Sequence, residues 1–266
     1  MVQHRERNQL GPFLLIRSLA PAAGAARWLA LHESHHTSHI VYQFPACHDK
    51  NEQRRFLSAV QTVCVLSNSH IQKIEQYSFD GTKTGYIVTP FPGDASGLLF
   101  LDGLLRAKGG RMHADEAQRA TVQLLEAFEA AHAVRLHHGP LSMSEVIVDR
   151  HGSLIVELFG LHRQLRGLTQ GNSELVRDEV RSIVEIAYQL LTGLRAEEPI
   201  IPAGRLVKRL DPEWDLWLER GLDPADGFAT AREAIDALPG SAPIVEVVPT
   251  VSPVLSFLGR LGLVRR

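Results

Sequence analysis

The chain has 266 residues, of which 44% are hydrophobic and 22% charged, and its formal net charge is −2. This length is enough for one large domain or two coupled lobes with a sizeable core. The small net charge provides no strong field for nucleic acid, so we expect no nucleic-acid partner. The sequence has no run of about 18 apolar residues, so we predict no membrane-spanning helix.

The cellular compartment is indicated by the cysteines and by the first residues. Two cysteines, Cys47 and Cys64, are too few for a disulfide framework and suit a reducing environment. The opening segment MVQHRERNQL is polar and precedes no long apolar run, so we expect no signal peptide. These features predict a cytoplasmic protein.

The first third of the chain has the pattern of a small antiparallel sheet. After a polar lead-in (1–10), apolar segments with β character alternate with short turns up to residue 89. Short turns between consecutive strands favour an antiparallel meander. We predict one helix at Asn51–Leu66 and five strands, at Gly11–Leu19, Arg27–Leu31, Ile40–Phe44, Ile71–Phe79 and Thr84–Thr89.

After a hinge at Pro90–Gly93, the pattern becomes mainly helical up to residue 238. Apolar residues at helical spacing predict helices at Leu99–Lys108, Ala114–Val134, Asp178–Leu191, Pro212–Gly221 and Ala229–Leu238. Two short strands, Val146–Val148 and Leu154–Leu158, interrupt them. A proline-rich linker (239–253) and an amphipathic tail (254–266) follow.

Two segments carry a family resemblance. Ala131–Leu161 reads as a helix end, a loop, two strands joined by a turn, and then Phe159–Gly160. Asp178–Gly193 (DEVRSIVEIAYQLLTG) is a helix that ends in Leu-Thr-Gly. In this order, residues 11–238 resemble the eukaryotic-like serine/threonine protein kinases, and several segments resemble bacterial members. The resemblance implies an α+β, two-lobed fold with a sheet-rich N-lobe (11–89) and a helical C-lobe (90–238).

The resemblance also implies where nucleotide would bind, and those positions have changed. The three glycines of the phosphate-covering loop fall on Ala20, Ala22 and Ala25, and the adjacent valine falls on Arg27. Each alanine adds a Cβ where the backbone must approach phosphate. We therefore expect no nucleotide-binding residues in this loop.

The phosphate-binding lysine of the family falls on Gln43, and its glutamate partner falls on Ala59. Glutamine cannot neutralise phosphate charge, and alanine cannot form the ion pair. Because both partners are absent together, the constraint on this pair has been released.

The catalytic loop is altered in the same way. The hydroxyl-orienting aspartate falls on Pro140, the loop lysine on Ser142, and the two metal ligands on Glu145 and Leu158. Leucine cannot bind Mg²⁺, which takes oxygen ligands. We expect no catalytic residue and no metal site at these positions, and ATP–Mg²⁺ binding that is weak or absent.

The positions that the resemblance retains are packing positions. Val63, His138 and Phe159 fall on the internal spine that joins the two lobes in the family. Glu179 falls on the aspartate that anchors the catalytic-loop backbone. The segment between Gly160 and Asp178 has no Ala-Pro-Glu, and the arginine that normally pairs with that motif falls on Gly227. Both changes make a peptide-substrate platform doubtful.

Three further sets of residues allow functional interpretations. Glu145 and Glu157 could form a relocated metal pair, although solvated carboxylates are the simpler expectation. The four histidines His32, His35, His36 and His39 suggest a metal site, but an exposed polar hairpin turn is the expected explanation. Phosphorylation of Thr169 or Ser173 could dock Arg163 or Arg166, the alternative being an unmodified loop.

The sequence therefore predicts a pseudokinase, a kinase-like domain that has lost catalysis and acts as a scaffold or allosteric regulator of a protein partner. The alternative is an atypical serine/threonine kinase or nucleotide-binding domain that uses Glu145 and Glu157. A third possibility, an interfacial membrane adaptor, depends on the tail Val254–Arg266, which could equally bind a partner or dock on its own domain.

Overall fold

The computed structural model describes residues 9–94 and 97–240. The N-terminal lobe is an antiparallel sheet of six strands in the order β1-β2-β3-β4-β6-β5, with one helix, α1. Its elements are β1 (Gln9–Leu10), β2 (Phe13–Ala22), β3 (Ala25–His32), β4 (Ser38–Ala46), α1 (Lys50–Val63), β5 (Gln76–Phe79) and β6 (Thr84–Pro90). The five predicted strands are present, and the two-residue β1 adds a sixth from within the predicted polar lead-in.

One predicted strand is much shorter than expected. Only Gln76–Phe79 of the segment Ile71–Phe79 pairs with β6, while Ile71 forms an isolated bridge to Val156 in the other lobe. Gln72 is buried, with 5% exposure. The apolar character of this segment reflects contact with the C-terminal lobe as well as sheet formation.

The C-terminal lobe is mainly helical, as predicted, with a small sheet in the order β7-β8-β9. Its elements are β7 (Leu99–Phe100), α2 (Leu101–Ala107), α3 (Ala114–Ala133), a 3₁₀ turn (Met143–Glu145), β8 (Val146–Val148), β9 (Leu154–Val156), α4 (Leu161–Leu165), α5 (Ser173–Thr192), α6 (Ala203–Leu206), α7 (Glu213–Leu222) and α8 (Ala231–Asp236). The α+β, two-lobed fold class is confirmed.

The sequence pattern missed α4 and α6 and began α5 too late. Both missed helices have five residues or fewer, too short to show an amphipathic period. Helix α5 begins at Ser173, five residues before the predicted start at Asp178, because Asn172 caps it by accepting a hydrogen bond from the Leu175 N–H.

The two lobes share one continuous hydrophobic core. Phe56 and Val60 of α1 belong to the same cluster of buried residues as Phe128 of α3 and Val184 of α5. A shared core stabilises the lobes as one unit and fixes the cleft between them.

Several predictions concern residues beyond the described ranges. The tail Val254–Arg266, most of the linker 239–253 and residues 1–8 of the lead-in lie outside the described residues. Across residues 9–94 and 97–240, no helix combines the length and the apolar character needed to span a bilayer.

Candidate functional site

Two side chains on neighbouring strands of the N-terminal lobe face the junction with the C-terminal lobe, which we call the cleft. Arg27 on β3 and Tyr42 on β4 are cross-strand partners, so they project from the same face of the sheet. Both are buried, with 4% and 0% exposure. They meet Glu157, which directly follows β9 of the other lobe. The cleft therefore contains a polar cluster built from both lobes.

The Arg27 guanidinium is held on three sides. Its Nη1 lies 2.5 Å from Glu157 Oε1, and its Nε donates to the Ala20 carbonyl oxygen at 2.7 Å. Its central carbon lies 5.1 Å from the centroid of the Phe100 ring. A carboxylate, a carbonyl and an aromatic face together fix the orientation of this cation.

Tyr42 connects the ion pair to a buried amide. Its hydroxyl donates to Glu157 Oε1 at 2.6 Å, and Gln72 Nε2 donates to the same hydroxyl at 3.0 Å. Gln72 also donates to Thr89 Oγ1 and accepts from the Leu158 N–H. Burial, followed by the Glu157 charge, raises the pKa of Tyr42 well above its ordinary value. Tyr42 is therefore a neutral hydrogen-bond donor at physiological pH.

The prediction of a solvated Glu157 is wrong. Glu157 is 7% exposed and shares one carboxylate oxygen between Arg27 and Tyr42. The prediction failed because the cation that pairs with Glu157 lies 130 residues away along the chain. The charge of Arg27, which stands where the family resemblance places a valine, is thereby compensated.

The assignment of Gln43 to the cleft-facing lysine position is also wrong by one residue. Side chains alternate between the two faces of a strand, and on β4 it is Tyr42 that faces the cleft and contacts Glu157. Gln43 projects from the opposite face and is half-buried. Ala59 is buried on α1, with 4% exposure.

The predicted turn at residues 20–26 is a tight hairpin. Strands β2 and β3 continue until Ala22 pairs with Ala25, which leaves only Ala23 and Gly24 in the turn. Both have positive φ, +51° and +76°, as a two-residue hairpin turn of type I′ requires. The hairpin is further fixed by the bond from Arg27 to Ala20. This segment forms strand pairs where the family resemblance places a phosphate-covering loop.

The catalytic-like loop (residues 137–145) has polar residues that bind one another. The Ser142 N–H donates to Glu145 Oε2 at 2.9 Å, which forms a capping box for the 3₁₀ turn. Leu158 is buried, with 2% exposure, and Pro140 is exposed. The Glu157 N–H donates to the Glu145 carbonyl oxygen, but the two carboxylates bind different partners. The two carboxylates of the relocated-pair hypothesis are thus directed to separate contacts.

The residues assigned to the spine pack at the junction of the lobes. The rings of His138 and Phe159 lie 5.1 Å apart, and Phe128 packs against Phe159 at 4.9 Å. Val63 is buried, with 3% exposure, at the end of α1. Burial lowers the pKa of His138 to about 4. At neutral pH His138 is therefore an uncharged ring within the core.

Glu179 on α5 anchors the catalytic-like loop by a hydrogen bond to its backbone. Its Oε1 accepts from the Gly139 N–H at 2.6 Å, and its Oε2 lies 2.7 Å from His132 Nε2 and 3.1 Å from His137 Nδ1. Burial raises the pKa of Glu179, but the hydrogen bonds from His132, Gly139 and His137 outweigh it, so the pKa lies below its ordinary value. Glu179 is a fully buried carboxylate.

The histidine segment His32–His39 forms the end of a hairpin. The rings of His32 and His35 are 4.4 Å apart. His39 lies on β4, with Nδ1 3.2 Å from Glu75 Oε2 and Nε2 2.8 Å from Thr37 Oγ1. Within residues 9–94 and 97–240, the groups of three or more ligand atoms that converge tightly enough for a metal ion do not include these histidines.

The two predicted phosphorylation positions are accessible. Thr169 and Ser173 are both exposed, and Ser173 is the first residue of α5. Arg163 Nη2 donates to the Gln170 carbonyl oxygen at 3.3 Å. Modification of Thr169 or Ser173 remains a prediction.

Sequence reasoning missed Tyr42, Gln72 and His132. Side chains alternate along β4, so Tyr42 shares a face with the buried Ile40. This alternation is the signal that could have identified Tyr42. His132 is half-buried and lies four residues after the buried Phe128 on α3. Gln72 gave no sequence signal, because its partners lie on three different elements.

Known structures resemble this fold over most of its length. The PknI kinase domain of Mycobacterium tuberculosis matches with a TM-score of 0.65 and 16% identity, covering 89% of this chain and 98% of that one. A single-substitution variant of that domain also gives a TM-score of 0.65, covering 87% of this chain and 96% of the other. At this identity, the match defines the fold.

A sequence match adds a second relative. A probable cell division protein kinase of Encephalitozoon cuniculi is 30% identical over 101 residues, which are 38% of this chain and only 30% of that protein. No protein-family model matches the chain. On the structural match, the chain has the two-lobed α+β fold of the protein kinases.

Proposed function

We propose that this chain is a pseudokinase, a catalytically inactive kinase-like domain that acts as a scaffold or allosteric regulator of a protein partner. The observation that supports this most strongly is the buried ion pair between Arg27 and Glu157 in the interlobe cleft. A phosphate site needs a cation with unused hydrogen-bonding capacity. Among the described residues, Arg27 is a cation that lies between the lobes, and its charge is already neutralised by Glu157.

The chemical requirements of phosphoryl transfer argue in the same direction. Transfer needs charge neutralisation around the phosphates and Mg²⁺ held by oxygen ligands. Pro140 and Leu158 stand where the family resemblance places two carboxylates. Each lost charged contact removes about 1.5–3 kcal/mol of interaction. With several lost, we expect ATP–Mg²⁺ affinity of roughly millimolar or weaker, or no binding.

A phosphotransfer assay tests the absence of catalysis. The full chain, incubated with Mg²⁺, γ-labelled ATP and generic serine/threonine substrates, is expected to give no label above a protein-free blank. The double variant Pro140→Asp/Leu158→Asp restores two carboxylates and is expected to stay inactive, because Arg27 and Glu157 still fill the cleft. Label transfer by the wild-type chain would refute the inactive assignment.

Glu145→Gln separates the pseudokinase from the alternative kinase. If Glu145 bound metal in an atypical kinase, this variant would lose all transfer measured for the wild type. A scaffold acts without turnover, so the variant should support the cellular role as well as the wild type does. Glu145 caps a 3₁₀ turn through Ser142, and glutamine retains an acceptor for that bond.

The tail provides a second contact in this proposal. Val254–Arg266 combines apolar residues with three arginines and suits a membrane surface or the groove of a protein partner. Co-sedimentation of the full chain with anionic liposomes, compared with a chain that ends at Leu238, tests the membrane contact. Equal pelleting of both chains would exclude attachment through the tail.

A further inference from the structure

A second polar cluster lies in the C-terminal lobe, apart from the cleft. His132 comes from α3, His137 from the catalytic-like loop and Glu179 from α5. The three ligand atoms, one from each side chain, all lie within 4.8 Å of one another. Three separate elements thus direct two imidazoles and one carboxylate to a single point.

We propose that His132, His137 and Glu179 form a binding site for a divalent transition-metal ion, with Zn²⁺ the best match. Two imidazole nitrogens and one carboxylate oxygen are donors that Zn²⁺ accepts. Mg²⁺ and Ca²⁺ prefer sites made entirely of oxygen ligands, so this donor set disfavours them. Three protein ligands leave a fourth tetrahedral position for water.

The distances are close to those that zinc requires. With bonds of about 2.0–2.1 Å, two ligands of a tetrahedral zinc ion lie roughly 3.3 Å apart. Glu179 Oε2 is 2.7 Å from His132 Nε2 and 3.1 Å from His137 Nδ1. Small rotations of the two imidazoles would open the space for an ion between these atoms.

The surroundings already orient the ligands. The other carboxylate oxygen, Glu179 Oε1, accepts from the Gly139 N–H, which is the outer support that a ligating carboxylate needs. A Cβ on Gly171 would lie 2.0 Å from His137 Nε2, so the backbone packs directly against that imidazole.

The cluster is open to solvent at its two imidazoles. The side chains of His132 and His137 keep 14% and 10% exposure, whereas Glu179 has none. An ion would therefore meet the imidazoles first, and their rotation would have to admit it to the buried carboxylate. A bound ion would join α3, the catalytic-like loop and α5, and so stabilise this part of the C-terminal lobe. This inference does not depend on whether the cleft binds nucleotide.

Zinc titration of the full chain tests the proposal. Chelator-treated protein is titrated with ZnCl₂ in competition with a chromophoric chelator, and we expect one tight equivalent. With zinc at about 100 times Kd, Tm is expected to rise by roughly 5–10 °C. His132→Gln and His137→Gln are each expected to weaken binding at least about 10-fold.

His70→Gln is the matched control. The His70 side chain has 13% exposure and contacts the Leu154 carbonyl oxygen, but it lies outside the cluster. This variant should bind zinc as tightly as the wild type. Equal loss in His70→Gln and His132→Gln would overturn the site, as would wild-type protein that binds no equivalent of zinc.

A measurement on the wild type guards against variants that fail to fold. X-ray absorption at the zinc edge of the loaded chain is expected to show a four-coordinate ion with two imidazole ligands. An ion with a different number of imidazoles would overturn the assignment. So would a Co²⁺-loaded chain whose absorption spectrum is that of the octahedral aqueous ion.

Discussion

Glu157 and Glu179 are both buried carboxylates of the C-terminal lobe, but they are neutralised in different ways. Glu157 faces Arg27, whose charge is permanent. Glu179 faces two histidines and a backbone amide, none of which must carry charge. The first arrangement places a fixed ion pair between the lobes, whereas the second holds the backbone of a loop through hydrogen bonds to one carboxylate.

This difference predicts how strongly each region responds to mutation. A buried ion pair tolerates the loss of neither partner, because an unpaired buried charge is costly. A carboxylate that accepts from several donors loses less when one of these hydrogen bonds is removed. The cleft is therefore expected to be the more sensitive region to mutation.

The largest expected effect is the loss of Arg27. Arg27→Met leaves Glu157 buried without a cation and should lower the free energy of unfolding by about 3–5 kcal/mol. The double variant Arg27→Met/Glu157→Leu should recover most of this loss. Urea denaturation of the three proteins measures both values.

An exposed ion pair is the control for that experiment. Arg232 pairs with Glu129, and its side chain is 54% exposed. Arg232→Met should cost about 0–1 kcal/mol. If Arg27→Met were no more destabilising than Arg232→Met, the buried ion pair would not have the role assigned to it.

The corresponding change at Glu179, in the cluster with His132 and His137, should lower the free energy of unfolding by less than the loss of Arg27 does. Glu179→Ala leaves the Gly139 N–H without its acceptor and should cost about 1–3 kcal/mol. Glu179→Gln retains a carbonyl acceptor and should cost less than Glu179→Ala. Chemical denaturation measures the order; a larger loss for Glu179→Ala than for Arg27→Met would reverse the comparison between the regions.

Removal of the Tyr42 hydroxyl tests the cleft network without touching its charges. Tyr42→Phe deletes the donor to Glu157 and should cost about 1 kcal/mol at neutral pH. Because the folded-state pKa is raised, this group stabilises the fold below pH 10 and its contribution is lost as pH rises further. The gap between wild type and Tyr42→Phe should therefore narrow above pH 10; a constant gap up to strongly alkaline pH would contradict this.

The smallest expected effect is at the hairpin turn. Ala23 has φ of +51°, a left-handed conformation that glycine adopts more easily. Ala23→Gly should therefore stabilise the fold by about 0.5 kcal/mol, after the greater entropy of the unfolded chain is included. Gly81→Ala, at a turn without positive φ, is the control and should change Tm little. Destabilisation by Ala23→Gly would argue against the hairpin geometry.

The sequence predicted the order of elements well because apolar periodicity is local. The strands around Arg27 and Ile40 and the long helix from Ala114 were placed within a few residues. The polar network of the cleft was not predicted, because Arg27 and Glu157 are 130 residues apart. Only the packing of the lobes brings them together.

The errors in the candidate site have a common physical origin. The family motif assigns the phosphate-binding lysine position to Gln43. The face of β4 that meets the cleft, however, is decided by the register of β4 against β3 and β6. The role of Glu179 was correctly placed because the helix end at Gly193 fixes its position along α5. Its histidine partners come from other elements and required the fold.

The central claim, that side chains of the chain itself close the cleft to nucleotide, is tested most directly by thermal shift with ATP–Mg²⁺. We predict a change in Tm of at most about 1–2 °C up to about 1 mM nucleotide, whereas an active kinase measured in parallel should be clearly stabilised. A larger, saturable rise in Tm of the wild type would contradict the account. If that rise disappeared in Arg27→Met, the nucleotide would be placed where the ion pair of Arg27 and Glu157 lies.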